Sequence, residues 1–177
     1  MSPWLTSEAL ELAATICSSH QHAFGRPLIA AAAASSATVS PRSSPRSSHG
    51  QLLAQELFAA GTVVLAHDGA DPSGDPGPRL IYANRAALQL WRRPWAELVG
   101  MPSRLTAEPA ERAGRARALA SVQRQQAIAN YSGIRVDSQG RRFQISGARV
   151  WTLWQPNGHG RQEPRGQAAA FSAWHWL

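Results

Sequence analysis

A chain of 177 residues with 44% hydrophobic side chains can bury the core of one ordinary domain without staples. Its single cysteine, Cys17, excludes an internal disulfide framework and any Cys-x-x-Cys metal or redox motif, and suits a reducing, cytoplasmic setting. The net charge of +7 is carried by arginine without any lysine, and no zinc finger, helix-turn-helix or phosphate loop accompanies it, so acidic partners are favoured but specific nucleic-acid readout is not expected.

Residues 5–24, LTSEALELAATICSSHQHAF, predict a first helix. Thr6 or Ser7 serves as its cap, and Leu5, Leu12 and Ile16 form its apolar stripe. Glu8 and Glu11 interrupt this segment and no basic cluster precedes it, so a signal peptide is not expected. Nor is a membrane span, because no run of about 18 apolar residues occurs. Residues 1–29 are therefore read as an N-terminal helical segment. Residues 30–50 are small, polar or proline-bearing, with PRSS at 41–44 and again at 45–48, and read as a low-complexity flexible insertion.

The main domain, 51–177, opens with QLLAQELFAA, a short amphipathic helix through residue 60. Thr62 to Ala66 predicts a buried strand. His67 to Pro78 holds three glycines, three prolines and three aspartates and reads as a loop. Its aspartates lack the spacing and closing glutamate of a calcium loop. Leu80 to Ala83 is the second strand. It runs through Asn84 into a helix ending at Trp91, before Arg92-Arg93-Pro94. Trp95 to Val99 is a helical turn closed by Gly100. Residues 108–126 form the longest helix, with Pro109 in its first turn and Ala118, Leu119 and Val122 as core contacts. Tyr131 to Val136 and Arg141 to Leu153 are strands joined by a turn at Asp137-Ser138-Gln139-Gly140. Phe143, Ile145, Trp151 and Leu153 share one two-residue phase, although a bulge near Gly147 would change it. A loop at 155–166 precedes the last strand, Gln167 to Trp176.

These elements predict an α+β fold: a five-stranded antiparallel sheet with helices on one face, plus the N-terminal helices. The order is PAS-like, and individual motifs strengthen the likeness. TVVLAHDG (62–69), LIYANRAALQLW (80–91), ELVGMPSRLTAEP (97–109), NYSGIRVDSQGRRF (130–143) and GQAAAFSAW (166–174) resemble the MEKHLA-domain proteins of bacteria and cyanobacteria. The resemblance implies a PAS-related module. Similar domains lie at the C-terminus of plant homeodomain-zipper regulators, where they bear on dimerisation. PAS domains bind small molecules or partner proteins and relay signals, and no particular activity comes with the family.

Two functions compete on this reading. One is a noncatalytic signalling module that pairs with a second copy or a protein partner, through the N-terminal helix and the 51–58 helix. The other is a small-molecule-binding domain with a pocket between the sheet and the 91–126 helices. Trp91, Trp95, Leu105, Phe143 and Trp151 are the candidate lining residues. Asn84, Gly100 and Gly140 are read as structural, Asn84 as a helix cap. No catalytic residues, metal ligands or cofactor are expected. His20, His22 and Cys17 make no recognised site, the acids show no catalytic pairing, and no GxSxG occurs. Cys17 precedes the sheet rather than lying in the helical region that carries the flavin-adduct cysteine of photosensory PAS domains. Arg112, Arg115 and Arg117 read as a solvated helical face.

Overall fold

The computed structural model describes residues 2–33 and 47–177, so most of the predicted insertion lies outside the described residues. Helix α1 (Ser7–Phe24) starts at Thr6, whose Oγ1 accepts from the Ala9 amide at 3.3 Å. Helix α2 (Ser48–Ala59) begins three residues before its expected start, because the hydroxyl of Ser47 caps it by accepting from Gly50 N. Strands β1 (Val63–Asp68) and β2 (Leu80–Ala83) lead to helices α3 (Arg85–Trp91) and α4 (Trp95–Leu98). A 3-10 turn (Ser103–Thr106) precedes α5 (Pro109–Gln125). Strands β3 (Ala127–Val136), β4 (Arg142–Pro156), β5 (Gln162–Phe171) and β6 (Ala173–Trp176) complete the chain.

All pairings are antiparallel and the strands run β2-β1-β5-β4-β3. The α+β class and PAS-like order are as expected, but the sheet has six strands rather than five. What reads as one last strand divides at Ser172: β5 pairs with β4 over 149–156, and β6 pairs with the same strand over 143–146. The expected 155–166 loop is also shorter. Strand β4 runs on to Pro156, β5 starts at Gln162, and Asn157 Oδ1 closes the turn by accepting from His159 N and Arg161 N. Pro164 looks like a strand breaker in sequence. It is tolerated because β1 pairs only with Gly166–Phe171, so Pro164 has a neighbouring strand on one side alone.

Both faces of the sheet are covered. The N-terminal helices take one of them: Leu12 and Ile16 of α1 and Leu53 and Leu57 of α2 pack against Val64, Trp151, Leu153 and Ala170. The chain between β2 and β3 takes the other, where Ala87, Leu90 and Trp91 meet Val63, Phe143, Ile145 and Phe171. Farther along that face, Leu119 and Val122 of α5 meet Val150. Fully burying one such side chain contributes roughly 1.5–3 kcal/mol, so each helix is held mainly by its apolar stripe.

The two faces are exchanged along β4 by a bulge at Gly147. The residue stands at φ +65°, and four β4 residues (Ile145 to Ala148) pass opposite three of β3 (Gly133 to Tyr131). Phe143 and Ile145 therefore share a face with Ala148 and Val150. Trp151 and Leu153 lie on the opposite face, under α1. The single phase expected for Phe143, Ile145, Trp151 and Leu153 is thus corrected by one inserted residue.

Candidate functional site

A cavity of about 70 Å³ lies between the sheet and α5. Its walls are mostly apolar, with Leu65, Leu119, Ile145, Val150 and Phe171 among them. Against this background its polar groups stand out. Helix α5 directs Arg115, Leu119 and Val122 inward at i, i+4 and i+7, so an arginine occupies a core position of the stripe. Strand β3 supplies Arg135 and Tyr131, β1 supplies His67, the 3-10 turn supplies Thr106 and α3 supplies Trp91.

Arg115 and Arg135 are 8% and 6% exposed. Arg115 Nη2 donates to Ser103 Oγ at 2.7 Å. Arg135 donates to the Ile134 carbonyl at 2.8 Å and to the Tyr131 hydroxyl at 2.9 Å. No carboxylate among the described residues forms an ion pair with either guanidinium. Burial, with the neighbouring charge of Arg135 acting in the same sense, lowers the Arg115 pKa to about 10. Gly133 leaves room for this arrangement: a Cβ there would stand 2.9 Å from the Tyr131 hydroxyl and 3.0 Å from Arg135 Nη1.

His67 is 8% exposed, and its Nδ1 lies 2.7 Å from the Asp68 carbonyl. A carbonyl only accepts, so Nδ1 carries the proton and Nε2 is an acceptor, buried without a partner. Burial, with Arg115 adding to it, holds the ring neutral by lowering its pKa from 6.5 to about 4. The indole Nε1 of Trp91, 1% exposed, is a buried donor without an acceptor.

Of the five residues expected to line a pocket, only Trp91 lines this cavity. Phe143 packs beside it, its ring 5.2 Å from that of Trp91, and also contacts Trp174 and Trp176. Trp151 is on the other face because of the Gly147 bulge, and its Nε1 donates to the Ile16 carbonyl at 3.3 Å. Trp95 is also on that face, against Trp4, Phe58 and Tyr82, because Pro94 ends the alignment with Trp91. Leu105 is 41% exposed on the 3-10 turn and faces away. The arginines and His67 were not among the expected residues. The i, i+4, i+7 run of Arg115, Leu119 and Val122 was the available signal.

Asn84 is fully buried at the β2–α3 junction. Its Oδ1 accepts from Ala87 N at 3.1 Å, the cap bond, and from Val64 N at 3.0 Å. Its Nδ2 donates to Thr62 O at 2.7 Å, with longer bonds to Leu57 O and Ala60 O. Gly100 donates to Leu80 O at 2.7 Å, and Gly140 closes the β3–β4 turn on Asp137 O at 3.2 Å. None of the three touches the cavity.

A flavin ring does not fit this site as it stands. Ligand pockets for such molecules span about 300–1,000 Å³. Cys17, moreover, is buried in the core of the opposite face, where burial pushes its thiol up to about 12. Among the described residues no group of three or more histidine, cysteine or acidic side chains is gathered to hold a metal ion, and no helix is long and apolar enough to cross a membrane.

Solved structures share the architecture at low identity. The PAS domain of a protein from Colwellia psychrerythraea is 11% identical, with a TM-score of 0.55 over 68% of this chain and 92% of that one. An RNA-binding light-oxygen-voltage receptor is 20% identical, with a TM-score of 0.53 over 75% of this chain and 36% of its own. These likenesses are of fold alone. No curated protein sequence matches the chain. The family model for the MEKHLA domain matches residues 10–176, taking in most of α1 together with the whole sheet, and the chain belongs to that PAS-like family.

Proposed function

We propose that this chain is a noncatalytic sensory module that reads a small molecule in the cavity between the sheet and α5. Membership of a PAS-like family supports a signalling role. The observation that carries the ligand reading is the cavity itself, where His67 of β1 and Trp91 of α3 each bury a polar atom without a partner, beside the buried guanidiniums of Arg115 and Arg135. A structural core rarely leaves such groups without partners, so they favour an occupant that completes their bonding. A ligand there touches α5 and three central strands together, so its presence alters how the helix packs on the sheet.

Pairing through the N-terminal helix and the 51–58 helix has less support. Leu12, Ile16, Leu53 and Leu57 already spend those apolar faces on the sheet of the same chain.

The test is a thermal-shift screen of small metabolites against the protein and against Ala118→Phe, which fills the cavity from α5. The expected result is a hit that stabilises the natural protein and not the filled variant. A screen with no such hit, together with native mass spectrometry that finds no retained molecule, would sink the reading.

A further inference from the structure

We infer that the occupant is a short-chain carboxylate, its carboxyl group held between Arg115 and Arg135 and its aliphatic tail on the apolar wall. This rests on the ligand-sensing reading above and names the chemistry of its ligand.

Charge is the first observation. Two guanidinium groups share a cavity, both nearly sealed from water, and their bonds go to neutral oxygens of Ser103, Ile134 and Tyr131. A buried cation without a counter-charge costs several kcal/mol, and two of them repel each other. Bound water supplies hydrogen bonds but no charge. A carboxylate supplies both and matches the planar fork of arginine.

The remaining polar groups agree. The Trp91 Nε1–H needs an acceptor, which a carboxylate oxygen provides. His67 Nε2 needs a donor, which a hydroxyl on the same molecule supplies.

Size and wall set the rest of the molecule. The cavity, about 70 Å³, is near half the roughly 150 Å³ that accommodates benzene, which leaves room for about three to five non-hydrogen atoms. Leu119, Val150 and Phe171 call for an aliphatic tail, so a bare inorganic anion wastes most of the surface. Gly133 belongs to the same device, since its missing Cβ is what allows Tyr131 to hold Arg135 in place.

Propionate and its neutral isostere propionamide provide the test, by calorimetry and by melting in a buffer free of other carboxylates. Propionate is expected to bind saturably and to raise Tm by about 3 °C at tenfold excess over Kd, and propionamide to do neither. Arg115→Met and Arg135→Met each remove an uncompensated buried charge. They are expected to melt at or above the unliganded natural protein and to bind propionate at least about tenfold more weakly. Equal responses to propionate and propionamide overturn the proposal, as does a chloride control that reproduces the propionate shift. Undiminished propionate binding by both methionine variants also overturns it. The first comparison needs no variant, so a misfolded mutant does not blunt it. If propionate fails while a neutral compound from the metabolite screen binds and is lost in Ala118→Phe, the carboxylate assignment falls and the sensory reading stands. If nothing binds, both fall.

Discussion

Asn84 shows how much one residue can do at a junction. As an N-cap alone it would be worth about 1 kcal/mol. It also accepts from the Val64 amide of β1 and donates to carbonyls around the end of α2, so it ties four segments together from a site with no solvent. Asn84→Ala leaves buried partners on every side. Unfolding by urea is expected to show a loss of about 3 kcal/mol, with the residual folded protein keeping its ligand affinity. Lost affinity at unchanged stability would instead place Asn84 in the site. The cap was legible because a polar residue at a strand-to-helix switch has few other uses. The bond to Val64 was not, because nothing in the sequence says that residue 64 passes within 3.0 Å of residue 84. Arg115 was illegible for a related reason: beside Arg112 and Arg117, an arginine on an arginine-rich helix reads as solvated. The phase it shares with Leu119 and Val122 separates it from exposed Arg117, whereas Arg112, seven residues before Leu119, lies at the half-buried end of the same stripe.

Among the elements, β4 decides the most. It pairs with β3, β5 and β6, and its apolar residues feed cores on both faces. Gly147 makes that possible by adding one residue at positive φ, so that Ile145 and Trp151 point to opposite sides. An added Cβ at Gly147 meets nothing within 4 Å, so the cost of Gly147→Val is that of the backbone conformation alone. That cost is about 1–2 kcal/mol, measured as a lower urea midpoint. A neutral substitution would show that the bulge relaxes to another conformation. Alternation along 143–153 predicted the strand correctly. It failed to predict the faces because a bulge inserts one residue without changing strand composition. Three of the expected pocket residues were displaced by limits of this kind. Trp151 lies beyond the bulge, Trp95 beyond the helix break at Pro94, and Leu105 on a 3-10 turn whose facing cannot be read from period.

At the scale of the whole molecule, the topology was legible from element order and motif sequence, whereas the use of α1 was not. An amphipathic stripe shows that a helix is covered but not by what. In the fold, α1 covers the sheet face opposite the cavity and buries His20 against Phe24 and Trp151. The protein thus holds one buried histidine on each side of its sheet. His20 donates from Nδ1 to the Arg26 carbonyl at 3.0 Å, which leaves Nε2, like that of His67, without a partner. Burial lowers both from 6.5 to about 4, and the charges of Arg149 near His20 and Arg115 near His67 act in the same direction. The unfolded chain therefore takes up protons near pH 6.5 that the folded chain refuses until about pH 4. Stability from these two groups is complete above pH 6.5 and drains as pH falls through that interval, because the unfolded state binds the extra protons. A series of urea midpoints between pH 7.5 and about pH 4 is expected to fall steadily below 6.5. The slope should shrink in a His20→Gln, His67→Gln double variant, which has neither imidazole to protonate. A double variant with the same acid slope as the natural protein would move the acid sensitivity to its carboxylates, and would mean that water reaches both rings.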